Sequence, residues 1–507
     1  MSLIREQWGT RAGFILASAG SMIGLGSLWR FPYVAYDNGG GAFLIPYLIA
    51  LLTAGIPLLI MEYAIGHKTR TSAALAFQRL GRAAAPIGWW QVAICFVVAI
   101  YYAVIIAWAI RYIGFSVSLQ WGGNPQRFLN EEFLRVAEQP GQISTYVSGV
   151  LWPLVAVWII TLGILALGVR RGIETSNRIF VPLLVVLFGI LVVHSLTLEG
   201  ASIGLDALFR PDWSAIGDPR VWLAAYGQTF FTLSVGFGIM VTYASYAKSK
   251  ADLTGSALVA AFSNAGVEIL AGIGVFAALG FMSATTTLPV DDVASQGVGL
   301  AFVAFPQIIS QLPAGAHLFG VLFFLSLVLA GLASLISIVQ VVVAAVQDRV
   351  GLSRVPAVLL VGGVIAATSI ALFPTDQGLM ILDVVDHFIN DYGIVGAALV
   401  SIVVVGWAMR RLPEMGAHAN ATSVLNVGWS WMIVLGAVTP LALGWIVYES
   451  VLAEAADAYN GYPQWFVNLF GWGAPAATIA VALLLSILPW RDPQRVGLIT
   501  FQKGRQR

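Results

Sequence analysis

Two stretches of this chain place glycine and small hydroxyl residues where an unbroken apolar helix would otherwise run. One reads Ala19-Gly20-Ser21-Met22-Ile23-Gly24-Leu25-Gly26-Ser27, the other Thr232-Leu233-Ser234-Val235-Gly236-Phe237-Gly238. Helix unwound inside an apolar run frees carbonyl oxygens that can hold a cation, and it exposes half-helix N-termini that can face an anion. The alternative is close helix packing, since Gly20 and Gly24 form a G-x-x-x-G pair. One interrupted segment alone favours packing. Two of them, five apolar segments apart, are what an inverted five-plus-five repeat produces.

Ionisable residues inside apolar runs are the second signal. Arg30, Glu62, Glu268 and Asp386 lie within such runs, and Arg111 stands near the end of another. Charge at membrane depth is costly, so it pairs or lines a pathway. Arg30 follows the first interruption, in Leu28-Trp29-Arg30-Phe31-Pro32-Tyr33, where a pair with Asp386 would close an outer vestibule. Snorkelling or a static structural pair is the competing reading. Other chemistries find no support. His67, His194, His317, His387 and His418 lack metal-ligand spacing. No G-x-x-x-x-G-K-[ST] phosphate loop and no Ser-His-Asp arrangement is legible, so an enzyme is not expected. Gly39-Gly40-Gly41 after Asn38 reads as a tight connection. Cys95 is the single cysteine, which excludes an intramolecular disulfide. A net charge of +1 without a basic tract gives no reason to expect nucleic acid, and no obligate protein partner is evident.

These residues must be positioned by membrane helices. Of the 507 residues, 59% are hydrophobic and 10% charged, against about 25% charged in a soluble domain. Apolar segments run over about 11–36, 42–66, 87–117, 151–169, 178–197, 220–247, 254–282, 316–347, 355–373, 378–409, 426–449 and 472–490. The fold class is all-α integral membrane, with about twelve transmembrane helices. An even number puts both termini on one side. With the termini inside, only Arg127, Arg135, Arg210 and Arg220 fall in outer loops, and Arg30 and Arg111 fall within segments; the other 20 of 26 Lys and Arg are cytoplasmic. The expectation is a multi-pass protein of the cell's inner (plasma) membrane, in contact with lipid, with cytoplasmic termini and no cleavable signal peptide. Two outer loops are long, 118–150 and 283–315. The second carries Asp291 and Asp292, then an amphipathic stretch from Gly299 to Leu312 that is either a short helix capping an outer opening or an ordinary exposed loop.

The motifs resemble those of the neurotransmitter:sodium symporter family. The resemblance is carried by Arg5-Glu6-Gln7-Trp8-Gly9-Thr10-Arg11, Gly24-Leu25-Gly26, Trp29-Arg30-Phe31-Pro32-Tyr33 and Asn38-Gly39-Gly40-Gly41-Ala42-Phe43. Ile100-Tyr101-Tyr102, Gly227-Gln228-Thr229-Phe230-Phe231-Thr232-Leu233-Ser234, Gly236-Phe237-Gly238 and Thr242-Tyr243-Ala244-Ser245-Tyr246 add to it. It is dense from residue 5 to about 409 and weak over the last two segments. It implies a leucine-transporter-like fold: a first five-helix repeat over 11–198, a second, inverted repeat over 219–409, broken helices one and six, and two accessory helices over 426–490.

The resemblance also implies a substrate site between segments one, three, six and eight. The substrate carboxylate would meet the backbone of Leu25 and Gly26 and the hydroxyl of Tyr102. The side-chain pocket would be lined by Ser21, Met22, Val98, Phe231, Ser234, Phe237, Ser334 and Ile338. Amine transporters of the family carry an aspartate at the position of Gly24, so glycine here favours an α-amino acid. The implied outer gate is Arg30 with Asp386, above a lid of Tyr102 and Phe231. The implied inner gate is Arg5 with Asp348, supported by Trp8, Ser245 and Tyr246, with Gln340, Glu174 and Glu62 near the gates or the unwound region. Sodium is the implied coupling ion, one or two per cycle. Its first site would use the Met22 carbonyl, Ser27, Thr232, Asn264 and the substrate carboxylate. Its second would use the carbonyls of Gly20, Ile23 and Ala330 and the hydroxyl of Ser334. Two positions depart from the family: Ser27 stands where an asparagine is usual, and Ala333 replaces an oxygen-bearing residue. Glu268 stands where chloride-dependent members have serine, one helical turn after Asn264, so no chloride requirement is expected. The function implied is sodium-coupled symport of small neutral amino acids by alternating access. A non-α-amino acid or betaine-like osmolyte is the nearer alternative, and a substrate-gated channel or transceptor the more distant one.

Overall fold

The structure is a computed structural model that describes residues 6–286, 290, 297–456 and 459–490. Among the described residues, ten helices are long and apolar enough to cross a membrane: Gly41–Thr69, Arg82–Ser116, Ser148–Ala166, Val169–Leu196, Leu253–Thr286, Ala316–Val350, Arg354–Leu372, Gly378–Ala408, Trp429–Gly461 and Gln464–Ile487. They correspond in order to spans two to five and seven to twelve of the sequence reading. Helix is what a spanning chain must adopt here, because lipid offers no partner to a bare amide or carbonyl.

The remaining two spans are the interrupted ones. Span one begins at Arg11–Met22, whose N-cap Thr10 accepts a hydrogen bond from the Gly13 amide at 2.9 Å. It resumes beyond Gly24 as Leu25–Trp29 and Phe31–Asp37, and the two parts meet at 58°. Span six is built from Pro219–Thr232, capped by Asp218, and Ile239–Ala244. Between them, residues 233–238 are unwound, with Ser234, Gly236 and Gly238 in left-handed backbone at φ 53°, 84° and 73°. Glycine takes that conformation freely. At Gly238 any side chain is further barred, since a Cβ would come within 2.7 Å of Ala73 Cβ.

The buried spans form the centre and the exposed ones a collar. Span eight is 83% buried over its most apolar stretch and packs most extensively against span three, whereas span twelve is only 22% buried. Glu6 and Trp490 lie on one face, called here the terminal face. The opposite, vestibule face carries the long loops. One of them includes an apolar helix over Gly297–Gln311, where the sequence leaves open a short capping helix or an ordinary exposed loop; Asp291 and Asp292 lie outside the described residues. On the same face Tyr146 pairs with Thr375 in an isolated bridge, and the buried Asp376 carboxylate accepts from the amides of Ser144 and Thr145. The start of span four is thereby tied to the loop between spans nine and ten.

Candidate functional site

The breaks in spans one and six face each other across a cavity of about 70 Å³. All eleven residues expected to hold substrate line it: Ser21, Met22, Leu25, Gly26, Val98, Tyr102, Phe231, Ser234, Phe237, Ser334 and Ile338. At its polar end the Leu25 amide donates to the Tyr102 hydroxyl at 3.2 Å. A Cβ on Gly24 would stand 2.8 Å from Ser334 Oγ and 3.0 Å from Tyr102 Oη, and one on Gly26 would run into the Phe231 ring. The two glycines therefore keep backbone, hydroxyls and ring in mutual reach. Ser234 Oγ donates to the Ser21 carbonyl at 2.9 Å, stitching one break to the other. The unwound stretch of span six is held from behind by Glu62 of span two, whose carboxylate accepts from the Gly236 amide at 2.8 Å.

Oxygen atoms gather at two points beside the cavity. At the first, Ser27 Oγ is 3.1 Å from the Met22 carbonyl and 3.0 Å from Asn264 Oδ1. Thr232 lines the same cavity, with its hydroxyl donating to the Gln228 carbonyl at 3.0 Å. At the second, Ser334 Oγ reaches the Gly20 carbonyl at 3.4 Å and the Ser21 carbonyl at 3.2 Å. Ile23 ends the first half-helix, and Ala330 and Ala333 are buried in span eight. Ala333 supplies no oxygen. Hard monovalent ions are held by such oxygen sets, and no cluster of three or more His, Cys, Asp or Glu fit for a transition metal exists among the described residues.

Glu268 is fully buried one turn beyond Asn264. Its carboxylate accepts from the Tyr47 hydroxyl and, at 3.1 Å, from Gln228 Nε2. Thr232 and Asn264 also turn polar atoms toward it.

The two expected gate regions differ. Arg30 and Asp386 both line a vestibule of about 480 Å³ above this cavity. No ion pair within 4.0 Å joins them among the described residues. Arg30 instead lies over the Phe231 ring, 4.5 Å from its centroid. Asp386 accepts from Tyr101 and, at 2.8 Å, from Asn390 Nδ2. Asn390 was not anticipated. It enters the cavity because span ten takes a wider turn over Ile389–Ile394, and its spacing of four from Asp386 is the only hint in the sequence.

The terminal face is closed. Trp8 Nε1 donates to the Tyr243 carbonyl at 2.8 Å and Gln340 Nε2 to the Tyr246 hydroxyl at 2.8 Å. Glu174 accepts from the Gly9 amide at 2.6 Å. Arg354 donates to Gln340 Oε1 at 2.7 Å and to Glu6 at 3.0 Å. Sequence reasoning found neither Glu6 nor Arg354 as a gate residue, because 348 residues separate them. Arg5, the expected inner-gate cation, lies outside the described residues. Asp348 accepts from the Ser72 amide at 2.7 Å.

A vestibule leading to a small pocket between two broken helices, closed on the opposite face, defines a multi-pass membrane transporter. The comparisons agree. A profile of the sodium:neurotransmitter symporter family matches residues 5–139 and 123–492, and the chain belongs to that family. It is 41% identical to a sodium-dependent transporter of Methanocaldococcus jannaschii over 484 residues, 96% of this chain and 97% of the relative. It is 32% identical to the sodium- and chloride-dependent GABA transporter 2 of Bos taurus over 379 residues, 68% of this chain and 62% of that one. The crystal structure of MhsT in complex with L-phenylalanine superposes with a TM-score of 0.73 at 33% identity, covering 88% of this chain and all of MhsT. The family and these relatives make the protein a sodium-coupled symporter with the leucine-transporter-like fold.

Proposed function

We propose that the chain carries small neutral L-α-amino acids inward with sodium by alternating access, with its termini in the cytoplasm and its vestibule open to the outside of the plasma membrane. The observation that carries this reading is the polar end of the cavity. The Leu25 amide and Tyr102 hydroxyl meet there beside a glycine whose Cβ would already crowd Ser334 and Tyr102. An α-carboxylate supplied by the substrate fits that corner, and an acidic side chain supplied by the protein does not. The apolar Val98, Phe237 and Ile338 at the other end suit an uncharged side chain, and the L-phenylalanine held by MhsT supports the same class. The test is thermal unfolding of the purified protein against a panel of amino acids and monoamines, with and without sodium. Ligand at about 100 times its Kd stabilises by about 2.7 kcal/mol. Neutral α-amino acids are expected to raise the melting temperature in sodium only. A monoamine acting as strongly as alanine or leucine, or a response indifferent to sodium, overturns the reading. The GABA transporter relatives favour a second reading, a non-α-amino acid, which stronger stabilisation by GABA than by any α-amino acid would select.

The sodium ions would sit at the two oxygen clusters. Met22, Ser27, Thr232 and Asn264 would serve the first, and Gly20, Ile23, Ala330 and Ser334 the second. Glu268, caged by Tyr47 and Gln228, would supply there the negative charge that chloride supplies in chloride-dependent relatives. Uptake is expected to survive replacement of chloride by gluconate, and Glu268→Ser to make it chloride-dependent. A large loss of wild-type uptake in gluconate counts against this role.

A further inference from the structure

A second cavity, of about 360 Å³, opens on the vestibule face and shares no lining residue with the substrate pocket or the vestibule. Two arginines line it, Arg111 near the end of span three and Arg135 in the following loop. Neither has a carboxylate within 4.0 Å among the described residues. Arg127 and Arg210 on the same face are each paired with an acid four residues away, Glu131 and Asp206. Arg111 rests over the Phe115 ring, 4.8 Å from its centroid. Phe115, Phe128 and Phe133, all buried, form an aromatic floor.

The third wall is the beginning of span four. Ser148–Ala166 is a helix of 19 residues whose N-cap, Val147, contributes no side-chain cap. The amides of Ser148 and Gly149 therefore end at the cavity without an intrahelical acceptor, and the positive end of the helix dipole adds to the two guanidinium groups. Depth is fixed by aromatic residues. Trp152, one turn into the span, is 69% exposed, and Tyr146 just before it is exposed as well. Such residues mark the level of the lipid headgroups. The one acid in the lining, Glu132, leaves the cavity a net charge of one positive unit.

We propose that this cavity binds the headgroup of an anionic phospholipid, with Arg111 and Arg135 on the phosphate and the glycerol end against the phenylalanine floor. Guanidinium groups meet phosphate oxygens in pairs, and a single positive excess matches a monoanionic phosphodiester.

The test uses the full-length protein, delipidated in detergent and titrated separately with phosphatidylglycerol, phosphatidylcholine and inorganic phosphate, read by native mass spectrometry. Wild type is expected to retain one phosphatidylglycerol that the Arg111→Gln/Arg135→Gln double variant binds about tenfold more weakly or worse. Glu132→Gln is expected to tighten the same binding. Because its effect has the opposite sign, it separates the site from general damage to the fold, and so does unaltered sodium-dependent stabilisation of the double variant by substrate. Equal phosphatidylglycerol affinity in wild type and double variant overturns the proposal. Equal retention of phosphatidylcholine does the same, as does displacement of the lipid by millimolar phosphate.

Discussion

The terminal and vestibule faces of this molecule are built from the same few kinds of polar residue, and the two faces do opposite things with them. On the terminal face Arg354 is 11% exposed in its side chain and bonded to Glu6, Gln340 and the Leu165 carbonyl, so the segment before span one and spans four, eight and nine are joined around one guanidinium. On the vestibule face Arg30 and Asp386 border the same open space without touching, each satisfied by a neighbour of its own. The charged residues on one side are spent holding a closure, and those on the other are available to make one. The structure is thus closed on the terminal side and open on the vestibule side.

The largest effects should come from breaking the two faces in turn. Arg354→Ala strands Gln340 Oε1 and leaves Glu6 only the Val169 amide, and charged hydrogen bonds are worth about 1.5–3 kcal/mol each. It should abolish sodium-driven uptake and lower the melting temperature, and amide exchange over 239–244 should quicken. Arg30→Ala should also abolish uptake, but with a stability cost near that of one cation–π contact, about 0.5–1 kcal/mol, whereas Asp386→Ala should abolish it at a higher cost, because Tyr101 and Asn390 lose their acceptor. Equal destabilisation by Arg354→Ala and Arg30→Ala would remove the asymmetry on which the comparison rests.

A smaller effect is expected at Ala333, beneath the open face. Restoring an oxygen beside Ser334 with Ala333→Thr should tighten sodium activation of uptake by about tenfold or more, on the scale of one ion–oxygen contact. Flux measurements should find a single sodium, or two with one weakly held, in wild type. Two tightly held sodium ions that ignore the substitution would contradict this.

The smallest effect concerns protons on the closed face. His418, in the helix Leu412–Asn420, lies 2.9 Å from His67. Burial first, then the charges of His67, Lys68 and Arg70, hold its pKa down to about 4. Glu414, the nearest acid on its helix, is taken up by Lys68 and Arg411. The folded protein therefore binds fewer protons here than the unfolded chain, whose histidine titrates near 6.5. Stability is fully present above about 6.5 and is lost as pH falls toward 4, by about 1 kcal/mol once solvent screening at this half-buried site is allowed for. His418→Gln should flatten melting temperature against pH in that window. A slope unchanged by the substitution would place the sensitivity elsewhere.

Much of this was readable from the sequence, and particular residues explain why. Apolar runs long enough to cross lipid announce the spans. Gly24 and Gly236 announce the breaks because glycine, proline apart, is the residue least suited to an uninterrupted helix. The residues that line the cavity between the breaks are those the family resemblance implied, many of them in or beside motifs whose members sit within a few residues of one another. What escaped was long-range or state-dependent. Glu6 and Arg354 carry no local mark of each other. The wide turn at Ile389–Ile394 that brings Asn390 inward has no clear pattern. That Arg30 and Asp386 stand apart is a property of the conformation, which no sequence motif encodes.

Helix length adds a final consequence. Spans four and nine have 19 residues each, about 28 Å at 1.5 Å per residue, while span eight has 35 and overshoots the hydrocarbon layer of about 30 Å. The short pair belongs to the lipid-facing collar, so a thicker bilayer is felt there first as hydrophobic mismatch. Thr145 and Val147, at the head of span four, are bonded to Asp376 and Pro374 at the foot of span ten. Tension in the membrane therefore has a mechanical path to the helix that carries Asp386.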